Sequence, residues 1–288
     1  MIIFKTIKGI QQLLNNFSLE GKKIGFVPTM GALHAGHLSL LETSRKENDI
    51  SVCSIFINPS QFNNQNDFIK YPVRTENDIL LLEKNQADIV FMPSQEEMNS
   101  LNFHEKVAFN LDGLDLVLEG SHRPGHFQGV CEVVEKLVKI VKPATLYLGE
   151  KDYQQCMVLK KLIRLLQLDI QISTCPITRA ESGLALSSRN MRLSAEGKIR
   201  AATIYKMLSF IKRNLTTNNW PALKESSMER LLKNGFETVD YLEMCTIDSL
   251  QILDQARENQ EVIILVAAFI EGVRLIDNIK TTAKILTN

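Results

Sequence analysis

The chain predicts an α/β fold, a parallel sheet with helices on both faces followed by a smaller α+β C-terminal domain. Three observations carry that expectation. Short β-like runs alternate with stretches of helical periodicity over the first 175 residues, the order that builds a parallel sheet. The strand-like run ISVCSIFIN at 50–58 is rich in β-branched residues, which favour strands. After about residue 176 the texture changes to a polar segment, then helical stretches, then two further β-like runs.

In chain order, IGFVPT (24–29) reads as a strand and HLSLLETSRKE (37–47) as the helix after it. ISVCSIFIN (50–58) is the second strand, TENDILLLEKN (75–85) helical, and DIVFMP (88–93) strand again. GVCEVVEKLVKIV (129–141) places apolar residues at helical spacing. TLYLGE (145–150) is strand-like, YQQCMVLKKLIRLLQ (153–167) a helix and DIQIST (169–174) a strand. The result is a Rossmann-like domain over residues 1–175. The segment TRAESGLALSSRNMRLSAEGK (178–198) opens a smaller α+β domain over 176–288, expected to close over the active site. Its helices lie near 195–214 and 221–234, and its β-like runs are VDYLEM (239–244) and EVIILVAAF (261–269). Sheets of this kind bind ligands in the crevice beyond the carboxyl ends of their strands. The segments 28–37, 58–62 and 149–155 fall there.

The chain's 288 residues carry 44% hydrophobic and 23% charged side chains, ordinary for a globular protein with a sizeable core. Its 33 basic and 33 acidic groups cancel, so no overall field recruits nucleic acid or an anionic membrane. Any anionic ligand must be met by local groups. The five cysteines, Cys53, Cys131, Cys156, Cys175 and Cys245, are scattered and lack C-x-x-C spacing. They read as buried small hydrophobes in a reducing compartment. MIIFKTIKGIQQLL has neither the apolar core nor the cleavage site of a signal peptide, and VIILVAAFI (262–270) is too short to cross a bilayer as a helix. A cytoplasmic location is the expectation.

Five motifs stand at or near strand ends. Met30-Gly31-Ala32-Leu33-His34-Ala35-Gly36-His37 leaves a strand and enters a helix. Gly36 allows close backbone approach, the helix amino end offers N–H groups to an anion, and two imidazoles can donate to phosphate oxygens. The bare H-x-G-H pattern is equally consistent with two loop histidines beside a turn glycine. In Gly149-Glu150-Lys151-Asp152-Tyr153-Gln154-Gln155, Lys151 suits a triphosphate and Asp152 a ribose hydroxyl or a metal-bound water. A solvated turn with Asp152 as helix cap explains the same residues. Leu186-Ser187-Ser188-Arg189-Asn190 puts two hydroxyls and a guanidinium together, a phosphate grip or a polar turn. Arg123-Pro124-Gly125-His126-Phe127 offers a cation for an anionic group or a simple turn. In Phe56-Ile57-Asn58-Pro59-Ser60-Gln61-Phe62, Gln61 stands at the crevice lip with both a donor and an acceptor.

Taken in order, PTMGALHAGH, FINPSQF, LEGSHRPGHFQGV, GEKDYQQ and GLALSSRN closely resemble the pantoate–β-alanine ligase family over nearly the whole chain, as does the ending VAAFIEGVRLIDNI. The resemblance implies ATP-dependent condensation of D-pantoate with β-alanine through a pantoyl-adenylate, with Mg²⁺ as cofactor and a homodimer as the assembly. It implies an ATP site along Met30 to His37, with His34 and His37 on the phosphates and His37 as proton donor. It also implies nucleotide contacts from Gly149, Glu150, Lys151, Asp152, Thr178, Leu186, Ser187, Ser188 and Arg189, and a catalytic set of His34, His37, Lys151 and Arg189. Gln61 and Gln155 would hold pantoate, and Gln61 would also reach β-alanine. The family commonly reads Y-P-R-T where this chain has Tyr71-Pro72-Val73-Arg74-Thr75, displacing the arginine by one position. Asp78 matches an acidic family position beside Asn77, and no metal ligand is assigned. The alternatives are a nucleotidylyltransferase acting on a phosphate, or an inactive nucleotide-binding relative. The presence of His34, His37, Lys151 and Arg189 disfavours the second.

Overall fold

The computed structural model describes residues 1–101 and 108–284. The chain divides into two compact units, Met1–Glu150 with Gln155–Pro176, and Lys151–Gln154 with the residues from Ile177 onward. In the first unit six strands, β1 Ile2–Phe4, β2 Ile24–Thr29, β3 Ile50–Ile55, β4 Ile89–Phe91, β5 Thr145–Gly149 and β6 Gln171–Cys175, form one sheet in the order β1-β4-β3-β2-β5-β6. Every pairing is parallel.

The two-residue period of a strand sorts its side chains onto two buried faces. Ile24, Phe26, Val52, Ile89, Phe91, Leu146 and Leu148 point into one apolar layer, shared with the helices Ile7–Leu19, His126–Val141 and Tyr153–Leu165. Val27, Cys53, Val90 and Tyr147 point the other way, against Leu40 and Leu41 of the helix Ala35–Glu47 and Leu82 of Thr75–Lys84. Because both faces are covered, the strands read as continuous apolar runs. The chain winds outward from β2 through β3 to β4, then returns to β5 on the other side of β2. That reversal places a crevice beyond the carboxyl ends of β2 and β5.

The second unit packs the helices Ala195–Ala201, Thr203–Asn214 and Trp220–Lys233 on an antiparallel sheet. Its strands are β7 Thr238–Thr246, β8 Glu261–Ile270 and β9 Val273–Thr282, in the order β7-β8-β9. Trp220, Met207, Leu208, Ile211, Val262, Ile264 and Val266 are among its buried core. A third strand therefore joins the two expected there. Glu271 and Gly272, both at positive φ, make the tight turn that returns β8 as β9, with Ile270 paired to Val273. Two successive positive φ values match the right-handed twist of the flanking strands.

Several boundaries also move. β3 ends at Ile55, although the Phe56 N–H still donates to the Thr29 carbonyl at 3.0 Å, because the chain turns into a 3₁₀ turn at Pro59–Gln61. β4 covers only Ile89–Phe91, and the helix at 129–141 begins earlier, at His126, after Gly125 with φ of 80°. No described helix is long and apolar enough to cross a membrane.

Candidate active site

The residues singled out in the sequence divide between the units. Met30 to His37, Gln61, Gly149, Glu150 and Gln155 lie in the first, and Lys151, Asp152, Thr178 and Leu186 to Arg189 in the second.

In the first unit, β2 ends at Thr29, whose hydroxyl donates to the Ser54 carbonyl of the adjacent strand at 2.6 Å and accepts the Gly31 N–H at 3.2 Å. Gly31 and Ala32 then take positive φ, 78° and 50°, a conformation costly for alanine unless neighbours hold it. The holder is Asp78, on the helix Thr75–Lys84. Its two carboxylate oxygens accept the N–H groups of Ala32 at 2.7 Å and Leu33 at 2.8 Å. Asp78 is only 1% exposed. Burial pushes its pKa up, while the two backbone N–H bonds and the nearby Arg74 oppose the rise. The amides of Ala32 and Leu33 are thus committed to a carboxylate.

His34 caps the next helix, its Nδ1 accepting the Gly36 N–H at 3.1 Å. An accepting Nδ1 puts the His34 proton on Nε2. His37 lies one turn in, with the two rings 4.1 Å apart between centroids. Gln61, 8% exposed, directs its amide nitrogen to the Met30 sulfur, which brings the FINPSQF and PTMGALHAGH segments together. Met30, Gly31 and Ala32 also line a cavity of about 250 Å³, together with Val73, Arg74 and Asp78. The displaced Arg74 caps the helix carrying Asp78, and its carbonyl accepts the Asp78 N–H at 2.8 Å. Gln155 is half-buried near the start of its helix, and the Cys156 thiol bonds the Gly149 carbonyl at 3.5 Å.

In the second unit, Lys151 Nζ pairs with Asp152 at 3.0 Å. Leu186 N donates to the Thr178 carbonyl at 3.0 Å, closing a hairpin whose Arg179 and Ala185 bridge each other. Ser187 caps the 3₁₀ turn Ser188–Arg192, accepting the Arg189 N–H at 3.3 Å. Two residues of β9 tie these segments together. Asp277 grips Arg179 through both guanidinium nitrogens at 2.6 and 2.9 Å, and Asn278 Nδ2 donates to the Lys151 carbonyl at 3.1 Å. Arg179 also lies over the Tyr205 ring, 4.0 Å from its centroid. Sequence reasoning missed the roles of Asp78, Asp277 and Asn278. Asp78 carried a signal as a matched acidic position, and the Asp277-Asn278 pair stood inside the ending VRLIDNI.

All five cysteines are free and buried. Burial holds the thiols of Cys53, Cys131 and Cys245 at about 12, so they are protonated at neutral pH and unfit as nucleophiles.

A family model described as pantoate-beta-alanine ligase matches residues 2–280. A pantothenate synthetase of Cytophaga hutchinsonii is 45% identical over 279 residues, covering 95% of this chain and 98% of its own. One from Bacteroides fragilis is 42% identical, with 97% and 99% covered. Among solved structures, a pantoate-beta-alanine ligase from Francisella tularensis, complexed with Beta-gamma ATP and Beta-alanine, superposes with a TM-score of 0.81. It is 39% identical, with 97% of each chain covered. A pantothenate synthetase from Thermus thermophilus superposes with a TM-score of 0.84 at 35% identity, with 97% and 99% covered.

Proposed function

The chain belongs to the pantoate–β-alanine ligase family and is an enzyme of that activity, and from that premise we propose a two-step reaction through a bound pantoyl-adenylate. In the first step a pantoate carboxylate oxygen bonds to the α-phosphorus of ATP, the bond from that phosphorus to the bridging oxygen breaks, and pyrophosphate leaves. In the second, the β-alanine amine attacks the acyl carbon, the C–O bond to AMP breaks, and the nitrogen loses a proton as the amide forms.

The observation that carries this reading is the adjacent His34–His37 pair, rings tilted by 30°, at the crevice end of β2, with Gln61 against Met30 in the same unit. A carboxylate is already ionised near neutral pH, so the first step needs no general base. It needs alignment and neutralisation of the charge that develops on the departing oxygens. His34, with its proton on Nε2, and His37 are assigned to the phosphates, His37 also as proton donor to the leaving group. Lys151 and Arg189 add positive charge to the triphosphate, with Ser187, Ser188 and Leu186 alongside. Gly149, Glu150 and Asp152 are assigned to the nucleotide, Asp152 toward ribose, and Thr178 to adenine through its backbone. Gln61 and Gln155 hold pantoate, and Gln61 also meets β-alanine.

Mg²⁺ fits this scheme as part of the MgATP substrate. Among the described residues no three His, Cys, Asp or Glu side chains group to hold an ion, and Asp78 is committed to two amides. Magnesium bound largely through substrate phosphates needs no such cage. A homodimer completes the proposal, checked by sedimentation.

The test is ATP–pyrophosphate exchange with D-pantoate and without β-alanine. Exchange that requires both pantoate and Mg²⁺ is expected. Exchange without pantoate, or none while ATP still binds, would overturn the adenylate reading.

A further inference from the structure

The segment Arg123-Pro124-Gly125-His126-Phe127 takes no part in the reaction as derived, yet the first unit builds it around Gln61. The helix His126–Val141 meets the turn Pro59–Gln61 at Gly129. A Cβ there would sit 2.4 Å from the Ser60 carbonyl oxygen and 2.8 Å from the Gln61 nitrogen, closer than a side chain tolerates, so only glycine fits. Asn58 spans the same contact, donating to the Gly129 carbonyl at 3.0 Å and to the Ser60 hydroxyl at 2.9 Å.

His126, 6% exposed, adds the directional element. Its Nδ1 is 2.7 Å from the Gln61 carbonyl oxygen, and its Nε2 is 3.0 Å from Arg123 Nη1. A carbonyl only accepts and a guanidinium only donates. The two partners together fix the ring as the neutral Nδ1–H tautomer, because a proton on Nε2 would face another donor. Arg123 is itself held by the buried Glu119 carboxylate at 3.5 Å and by Asn63 Oδ1 at 3.3 Å.

We propose that His126 is a positioning residue for pantoate recognition. It locks the Gln61 peptide, with Arg123 setting the tautomer, so that the Gln61 side chain meets pantoate in one orientation. This rests on the reading of Gln61 as a pantoate ligand.

The experiment compares Gln61→Ala, His126→Ala and His126→Asn in the full chain, reading KM for D-pantoate, KM for ATP and the thermal midpoint. Asparagine returns an amide donor near the position of Nδ1. His126→Ala is expected to raise pantoate KM about tenfold, roughly the worth of one fixed hydrogen bond, and to leave ATP KM unchanged. His126→Asn should restore most of the loss. Unchanged pantoate KM in Gln61→Ala overturns the Gln61 reading itself. If Gln61→Ala raises it and His126→Ala does not, the positioning role fails alone. It also fails if both substrates weaken equally and asparagine rescues nothing. Should His126→Ala not fold, ring ¹⁵N NMR of the unaltered chain decides. The His126 signal, assigned by its loss in His126→Asn, should show Nδ1–H, and an Nε2–H ring overturns the proposal.

Discussion

His34 and His37 are identical in chemistry, and the fold has used them differently. His34 spends Nδ1 on capping its own helix, so its remaining donor is fixed in direction. His37 sits within the first turn, ring against ring with His34, where a change in side chain alters charge without removing the cap. The variant His37→Ala should therefore fold normally. It should slow single-turnover adenylate formation by about 10²–10³, the usual cost of one preorganised charge-stabilising group. Pantoate affinity measured by calorimetry should be little changed. An unaltered single-turnover rate would remove His37 from the chemistry. These two histidines were legible in the sequence because their spacing and the strand before them are local. Asp78 was not, since its partners lie 46 and 45 residues earlier in the chain. No local pattern marks a carboxylate whose meaning is set by a distant loop.

At the level of elements the same division holds. Long runs of even apolar character, such as the helix His126–Val141 and the strand β8, were visible because their own periodicity reports them. β1 has three residues and gains its identity from pairing with β4. β9 mixes Arg274, Asp277 and Lys280 into its pattern, and only its hairpin with β8 and its ion pairs explain those charges. The loop from Thr29 to Leu33 and the helix Thr75–Lys84 act as one element, joined by Asp78, and this joint has a pH signature. Burial raises the Asp78 pKa above its ordinary 3.8, so the folded chain holds that proton more tightly than the unfolded chain. Its contribution to stability accordingly falls as pH rises through the folded value. The loop geometry nevertheless needs the ionised form, which alone accepts both amides. The replacement Asp78→Asn should remove this component. Comparing urea midpoints from about pH 4 to about pH 7, the difference between the two proteins should move in favour of the asparagine variant as pH rises. That variant should also lose pyrophosphate exchange at pH 7, because one amide of the loop is left facing an N–H donor. A pH-independent difference in midpoint would show that Asp78 is not the titrating group.

For the whole molecule, the strand–helix alternation made the class of fold legible, while the grouping of Lys151–Gln154 with the second unit was not, since its partners there, such as Asn278 at the Lys151 carbonyl, lie more than a hundred residues away in the chain, 127 in that case. Charge is the other property that belongs to the entire chain. With 33 basic and 33 acidic side chains and a pI near 7.0, the protein has almost no net field to steer polyanions, and salt screens what remains beyond about 8 Å at physiological strength. Recognition of a small anion must then come from groups within a few ångströms of it. A long polyanion, which needs many spaced cations, should find no continuous track. The chain should therefore elute from heparin in the wash at about 0.15 M salt, while an immobilised ATP analogue retains it and free ATP releases it. Retention on heparin beyond about 0.3 M salt would reveal a basic face that the balanced totals conceal. It would also reopen the question of a nucleic-acid partner.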